Sequence, residues 1–170
     1  MLSFKKILCP TDFSGASRAA LAAAAEVAAQ FKSEIYLVHV VPVVPPLPPD
    51  PSFVFEVPEY ERALHADADR QLKALADDLT AKGRIVHAIV GHGDAGGEIV
   101  RIANSESVDL IVISTHGMTG WRHVVFGSVA EKVVRLAHRP VLTVPAPPEY
   151  ARDSRAKATR ACGGPRAAAG

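Results

Sequence analysis

The sequence predicts a single α/β domain, a flavodoxin-like or Rossmann-like doubly wound fold around a five-stranded parallel sheet. Three observations lead there. Strand-like and helix-like segments alternate along the chain, the pattern of parallel strands joined by crossover helices. The run Asp109–Ile113 lacks the alternation of a half-exposed strand and is rich in β-branched residues, as a strand buried on both faces is. That run opens onto a loop holding Gly117, Gly120 and Gly127, the order in which open α/β sheets hold phosphates. The chain has 170 residues, a length that fits one domain with a core of its own, without help from metal or disulfides.

The elements follow in order. Lys6–Pro10 reads as the first strand. Ser14 can cap a first helix from about Ala16 to Phe31, whose many alanines favour helix and permit close approach to the sheet. Ile35–Val41 is the second strand. Between Glu59 and Lys82, Leu64, Ala68, Leu72, Leu75 and Leu79 recur at spacings of four and three, which places one apolar stripe on a second helix that Gly83 terminates. The third strand runs from Ile85 to Val90, and Asp94 can cap a short third helix with Ile99, Ile102 and Ala103 facing inward. The fourth strand and the glycine loop lead to Ser128-Val129-Ala130-Glu131, a capping-box pattern that places Ser128 as the cap of a fourth helix. Val141–Val144 is the fifth strand. Residues 42–58 hold seven prolines, so they read as an extended, polyproline-like surface loop. Phe53 and Phe55 in that loop are candidates to fold over a ligand.

Glycines lack a Cβ, so the backbone of the loop can bring N–H groups close to an anion, and a helix N-terminus adds its positive dipole end. A loop that merely turns the chain would use the same glycines; the order of strand, loop and capped helix favours the anion site. The residues Gly117, nine more, and Gly127-Ser128 resemble the G-x2-G-x9-G-[S/T] motif of nucleotide-binding universal stress proteins. Lys6 to Ser14 and Arg139 to Val144 extend the resemblance, which covers roughly residues 1–146. The first of the family's motif glycines falls on Ser114, a departure at one position.

The resemblance implies strand order 3-2-1-4-5, where the residues alone leave 2-1-3-4-5 open as well. In the first order, strands one and four adjoin at a topological switch point, where such folds bind ligands. The loops meeting there are Pro10 to Ser14 and Ser114 to Ser128. The resemblance further implies that Thr11 and Asp12 lie by ribose and phosphates, and that the backbone of Val40 contacts adenine. It implies too that Gly117, Gly127, Ser128 and Val129 present N–H groups to the phosphates. The expected ligand is ATP, with Mg reached through its phosphates and Asp12 as the candidate metal contact. Asp12 can equally serve as a turn or cap residue. His87, His92, His116 and His123 read as ordinary solvated side chains, and Arg122 as a surface cation or a phosphate counter-charge.

Charge and cysteines bound the rest. Residues 151–170 carry Arg152, Arg155, Lys157, Arg160 and Arg166 against Asp153, a net of +4, so residues 1–150 stand at −3 within a total of +1. The acidic body argues against a nucleic-acid groove, and the basic end, residues 147–170, reads as a disordered tail. No run of 18 apolar residues occurs, so no membrane span is expected and the cytoplasm is the expected compartment. Cys9 in a buried strand and Cys162 in the tail read as free thiols.

A P-loop enzyme would place a lysine after its glycines, a response regulator would cluster acidic residues after the first strand, and a flavin carrier would put its phosphate loop there. None matches. The expectation is an ATP-binding stress-response module, a homodimer through Val141–Val144, at most a slow ATPase. The alternative is the same fold acting as a dimeric interaction protein without nucleotide.

Overall fold

The computed structural model describes residues 3–43, 57–115 and 127–145. In chain order they form β1 (Lys6–Pro10), α1 (Gly15–Phe31), β2 (Glu34–Val41), α2 (Val57–Ala81), β3 (Val86–His92), α3 (Ala95–Ser105), β4 (Leu110–Ser114), α4 (Ser128–Leu136) and β5 (Val141–Val144). All strand pairs are parallel, in the order β3-β2-β1-β4-β5. That order excludes the alternative 2-1-3-4-5.

Successive strand residues point to opposite faces, and each face has its own core. Ile7, Cys9, Ile35, Leu37 and Val112 pack under α1 and α2 with Leu21, Ala24, Leu72 and Leu79. Leu8, Tyr36, Val38, Ile111 and Ile113 pack under α3 and α4 with Ile99, Ile102, Ala130 and Val133. β1 lies at the centre of the sheet, which leaves Ile7, Leu8 and Cys9 without exposed surface. Burial pushes the Cys9 thiol up to about 12, so at neutral pH it is neutral and a poor nucleophile. Cys162 lies outside the described residues.

Several boundaries shift from those the sequence predicts. α2 begins at Val57, inside the stretch assigned to the proline loop, because Pro58 falls in the first turn, where a helix needs no N–H donor. Its stripe includes Ala76 alongside Ala68, Leu72 and Leu79. Gly83 ends it as expected: with φ at +76° it turns the chain back, so that Arg84 N–H reaches the Leu79 carbonyl at 3.1 Å. β3 starts one residue later than expected and continues to His92, because its partner β2 extends the ladder to Val41. Among the described residues, no helix is long and apolar enough to cross a membrane.

Candidate functional site

A cleft of about 260 Å³ opens beyond the carboxyl ends of β1, β2 and β4. It forms where α1 leaves β1 on one face of the sheet and α4 follows β4 on the other, so the chain parts on both sides of the β1–β4 seam. Pro10, Thr11, Asp12 and Val40 line one side, and Ser114, Gly127, Ser128 and Val129 the other. Eight residues singled out in the sequence thus meet at one place. Gly117, Gly120, His116, Arg122 and His123 lie outside the described residues, as do Phe53, Phe55 and the tail. Val38, Ile99 and Ile113 give the cleft an apolar floor.

The β1–α1 loop is closed by its own side chains. Thr11 is buried and continues the ladder, its N–H donating to Val38 O at 2.8 Å. Its Oγ1 accepts from the Phe13 N–H at 3.0 Å and shares a hydrogen bond of 3.0 Å with Ser17 Oγ. Asp12 Oδ1 accepts from the N–H of Ser14 at 3.0 Å and from its hydroxyl at 2.5 Å, so the turn role weighed for Asp12 is realised while the residue still lines the cleft. Ser14 caps α1, its Oγ accepting from Ser17 N–H at 3.2 Å.

The α4 side is built differently. The cap is Gly127, not Ser128, which corrects the capping-box reading. The reason lies in the preceding strand: Gly127 N–H donates to Thr115 O at 2.7 Å, which fixes Gly127 in extended backbone (φ −68°, ψ 153°) and makes Ser128 the first helical residue. Gly127 O accepts from Glu131 N–H at 2.9 Å, the first helical bond. Gly127 has no side chain to cap the turn, so the N–H groups of Ser128, Val129 and Ala130 precede the first intrahelical bond and border the cleft. The φ of Gly127 is negative, and a Cβ there would meet only Thr115 O, at 3.4 Å, an ordinary contact, so neither backbone angle nor protein packing demands glycine at this cap.

α3 also reaches the cleft, at Ala95. Its cap, Asp94, accepts from Gly97 N–H at 2.7 Å and pairs with Lys132 Nζ of α4 at 2.9 Å. The Lys132 bond, then the Gly97 N–H, hold the Asp94 carboxyl below the usual carboxylate range. Ser17, His39 and Thr115 line the cleft and were not singled out in the sequence. A histidine inside the apolar run Ile35–Val41 was the one available signal for His39. His87 pairs with Glu34 at 2.9 Å, and His92 contacts His65 at 3.1 Å; neither lines the cleft.

A family model described as the universal stress protein family matches residues 3–145. Universal stress protein MJ0531 of Methanocaldococcus jannaschii is 36% identical over 145 residues, 85% of this chain and 84% of that protein. The solved structure of MJ0577 from the same organism superposes with a TM-score of 0.72 at 31% identity, covering 85% of this chain and 97% of that one. A universal stress protein in complex with cAMP shares the fold, with a TM-score of 0.64 at 19% identity, over 86% of this chain and all of that one.

Proposed function

This chain belongs to the universal stress protein family, and from that premise we propose that its cleft binds ATP, which acts as a signalling or structural ligand of a stress-response protein. The observation that carries the reading is the uncapped start of α4. Its first N–H groups and its dipole end favour an anion, and they border the apolar floor of a cleft of about 260 Å³. A fold relative holds cAMP, which shares the adenine and ribose of ATP. In this reading the N–H groups of Ser128 and Val129 and the Ser128 hydroxyl receive phosphates, and the Val40 backbone meets adenine. Gly127 leaves room for the approach. Ser114 contributes a hydroxyl where the family motif has glycine.

Asp12 is the single carboxylate lining the described cleft, and one of its oxygens already takes two bonds from Ser14. Among the described residues no group of three metal-ligating side chains occurs. That donor set fits Mg carried in on the phosphates, since Mg is usually held by one or two carboxylates, water and substrate phosphates. When bound, the ion would neutralise phosphate charge beside Asp12.

Ligand binding to the folded state alone stabilises it by about 2.7 kcal/mol at a hundredfold excess over Kd, which gives bound ATP an effect without turnover. We extend the proposal to self-association through β5, which among the described residues is an edge strand with Leu142 41% exposed, and an edge invites a partner. A single-chain mass for the intact protein by light scattering would exclude it. For the nucleotide, protein purified without added ligand is denatured and the released small molecules are identified by chromatography and mass spectrometry, beside calorimetry with Mg-ATP. An adenine nucleotide, or micromolar heat of binding, is expected. Protein that is empty and silent in calorimetry would sink the reading.

A further inference from the structure

His39 stands in β2 between Val38 and Val40, where a polar ring needs a partner. Its Nδ1 lies 2.8 Å from the carbonyl oxygen of Thr11. A carbonyl only accepts, so Nδ1 carries the hydrogen and the neutral ring is the Nδ1–H tautomer. The same ring lies against Phe13, centroids 4.4 Å apart and planes tilted by 31°. Thr11 and Phe13 flank Asp12, so one imidazole grips the chain on both sides of the cleft's carboxylate.

The grip has something to hold. Phe13 has φ at +63°, left-handed backbone that a bulky residue seldom adopts and keeps only where its surroundings over-determine it. Three bonds within the loop, from Phe13 N–H to Thr11 Oγ1 and from the Ser14 N–H and hydroxyl to Asp12 Oδ1, help to fix that shape. Each of them is made by residues of the loop or of its helix cap. His39 adds a tie from a neighbouring strand to the loop's bend, beyond the last rung from Thr11 N–H to Val38 O.

We propose that His39 is a positioning residue for this cleft: chiefly through its Nδ1–H, with the ring against Phe13 as the lesser contact, it holds the Thr11-Asp12-Phe13 bend that presents Asp12 to the bound nucleotide. The affinity part rests on the nucleotide reading above; the loop part does not.

Two substitutions separate the donor from the ring. His39→Phe keeps a ring against Phe13 and loses the N–H. His39→Asn loses the ring and keeps a side-chain N–H at the position of Nδ1. The Mg-ATP affinity of His39→Phe is expected to fall about tenfold, as for one lost hydrogen bond of about 1.4 kcal/mol, with His39→Asn recovering to within about threefold. In an Asp12→Ala background, His39→Phe is expected to cost less than about twofold, because residues acting through one another are non-additive. Amide hydrogen exchange of the nucleotide-free protein gives the ligand-independent arm. Exchange at Phe13 and Ser14 should quicken about tenfold in His39→Phe and return towards wild type in His39→Asn, while Thr11 stays protected. Unchanged exchange in His39→Phe, or equal losses in both variants at an unchanged melting temperature, would overturn the proposal. If wild-type protein binds no Mg-ATP, the nucleotide reading and the affinity part fail together, and the exchange result alone decides whether His39 holds the loop.

Discussion

α1 and α4 enter the same cleft from opposite faces of the sheet, and their first turns are finished in opposite ways. α1 is capped by Ser14, and its approach loop spends Thr11, Asp12 and Ser17 on bonds to itself. α4 is capped by a glycine that brings no side-chain acceptor. A capped turn stabilises the fold whether or not a ligand comes, typically by about 1 kcal/mol. An uncapped turn forgoes that gain and keeps its N–H groups available to an anion. In the proposed reading the β1 side supplies rigid positioning and the β4 side the anion contacts, with the backbone bond from Gly127 to Thr115 tying the start of α4 to the end of β4.

The difference can be broken by exchanging the two chemistries. Gly127→Asp gives α4 an acceptor of its own and places a negative charge where phosphates would lie. The backbone there is extended, and the nearest atom to a new Cβ is 3.4 Å away, so the fold should tolerate the change and gain a few tenths of a kcal/mol from the cap. Like charges set side by side cost several kcal/mol, so Mg-ATP affinity by calorimetry should fall about a hundredfold or more at an unchanged or slightly raised melting temperature. Retained affinity would move the phosphates elsewhere. Ser14→Ala does the reverse. It removes the α1 cap and the hydroxyl bond to Asp12, leaving the bond from the residue's backbone N–H, and it should lower stability by about 1 kcal/mol, a few degrees in melting temperature for a domain of this size. Affinity should fall less than tenfold, since no N–H donor of α4 is touched. A larger loss of binding than of stability in Ser14→Ala would show that the two sides share the anion.

How far the site was legible in the sequence follows the same division. The α1 side could be read, because a serine three residues ahead of its bonding partner is a local signal; Asp94 and Gly97 of α3 repeat it. The α4 side misled by one residue. Ser128 and Glu131 match a capping box, yet the bond between Gly127 and Thr115 O, twelve residues back and across a loop, decides where the helix starts. Pattern within a helix cannot register a contact made outside it. The same holds for His39, whose tie to Thr11 spans 28 residues. The two faces of the sheet were legible from the unbroken apolar run at β4, and the strand order came from the family resemblance, since the residues alone left two orders open.

The smallest expected effect tests α3, the third helix at the cleft, whose cap is charged. Asp94 Oδ2 accepts from Gly97 N–H and meets Lys132 Nζ, and the stem of Lys132 passes over Gly96, where a Cβ would lie 2.8 Å from it. The folded carboxyl therefore holds its proton less tightly than the unfolded one. The stabilisation from its charge is thus present above the unfolded carboxylate value and is lost as pH falls through the depressed folded value. Asp94→Asn keeps an acceptor for Gly97, because asparagine caps about as well as aspartate, and removes only the charge. The melting temperature of wild type minus that of Asp94→Asn should be small and positive at pH 7, since the pair is solvent-exposed and screened. It should begin to shrink below about pH 4 and vanish once Asp94 is protonated. Glu98 is held low as well, by Arg101, but it is present in both proteins, so its acid loss cancels in the difference. Molar salt at pH 7 should reduce the difference in the same direction. A difference that stays flat from pH 7 to pH 2 would mean that Lys132 contributes packing over Gly96 and no charge stabilisation, leaving α3 with a cap equivalent to that of α1.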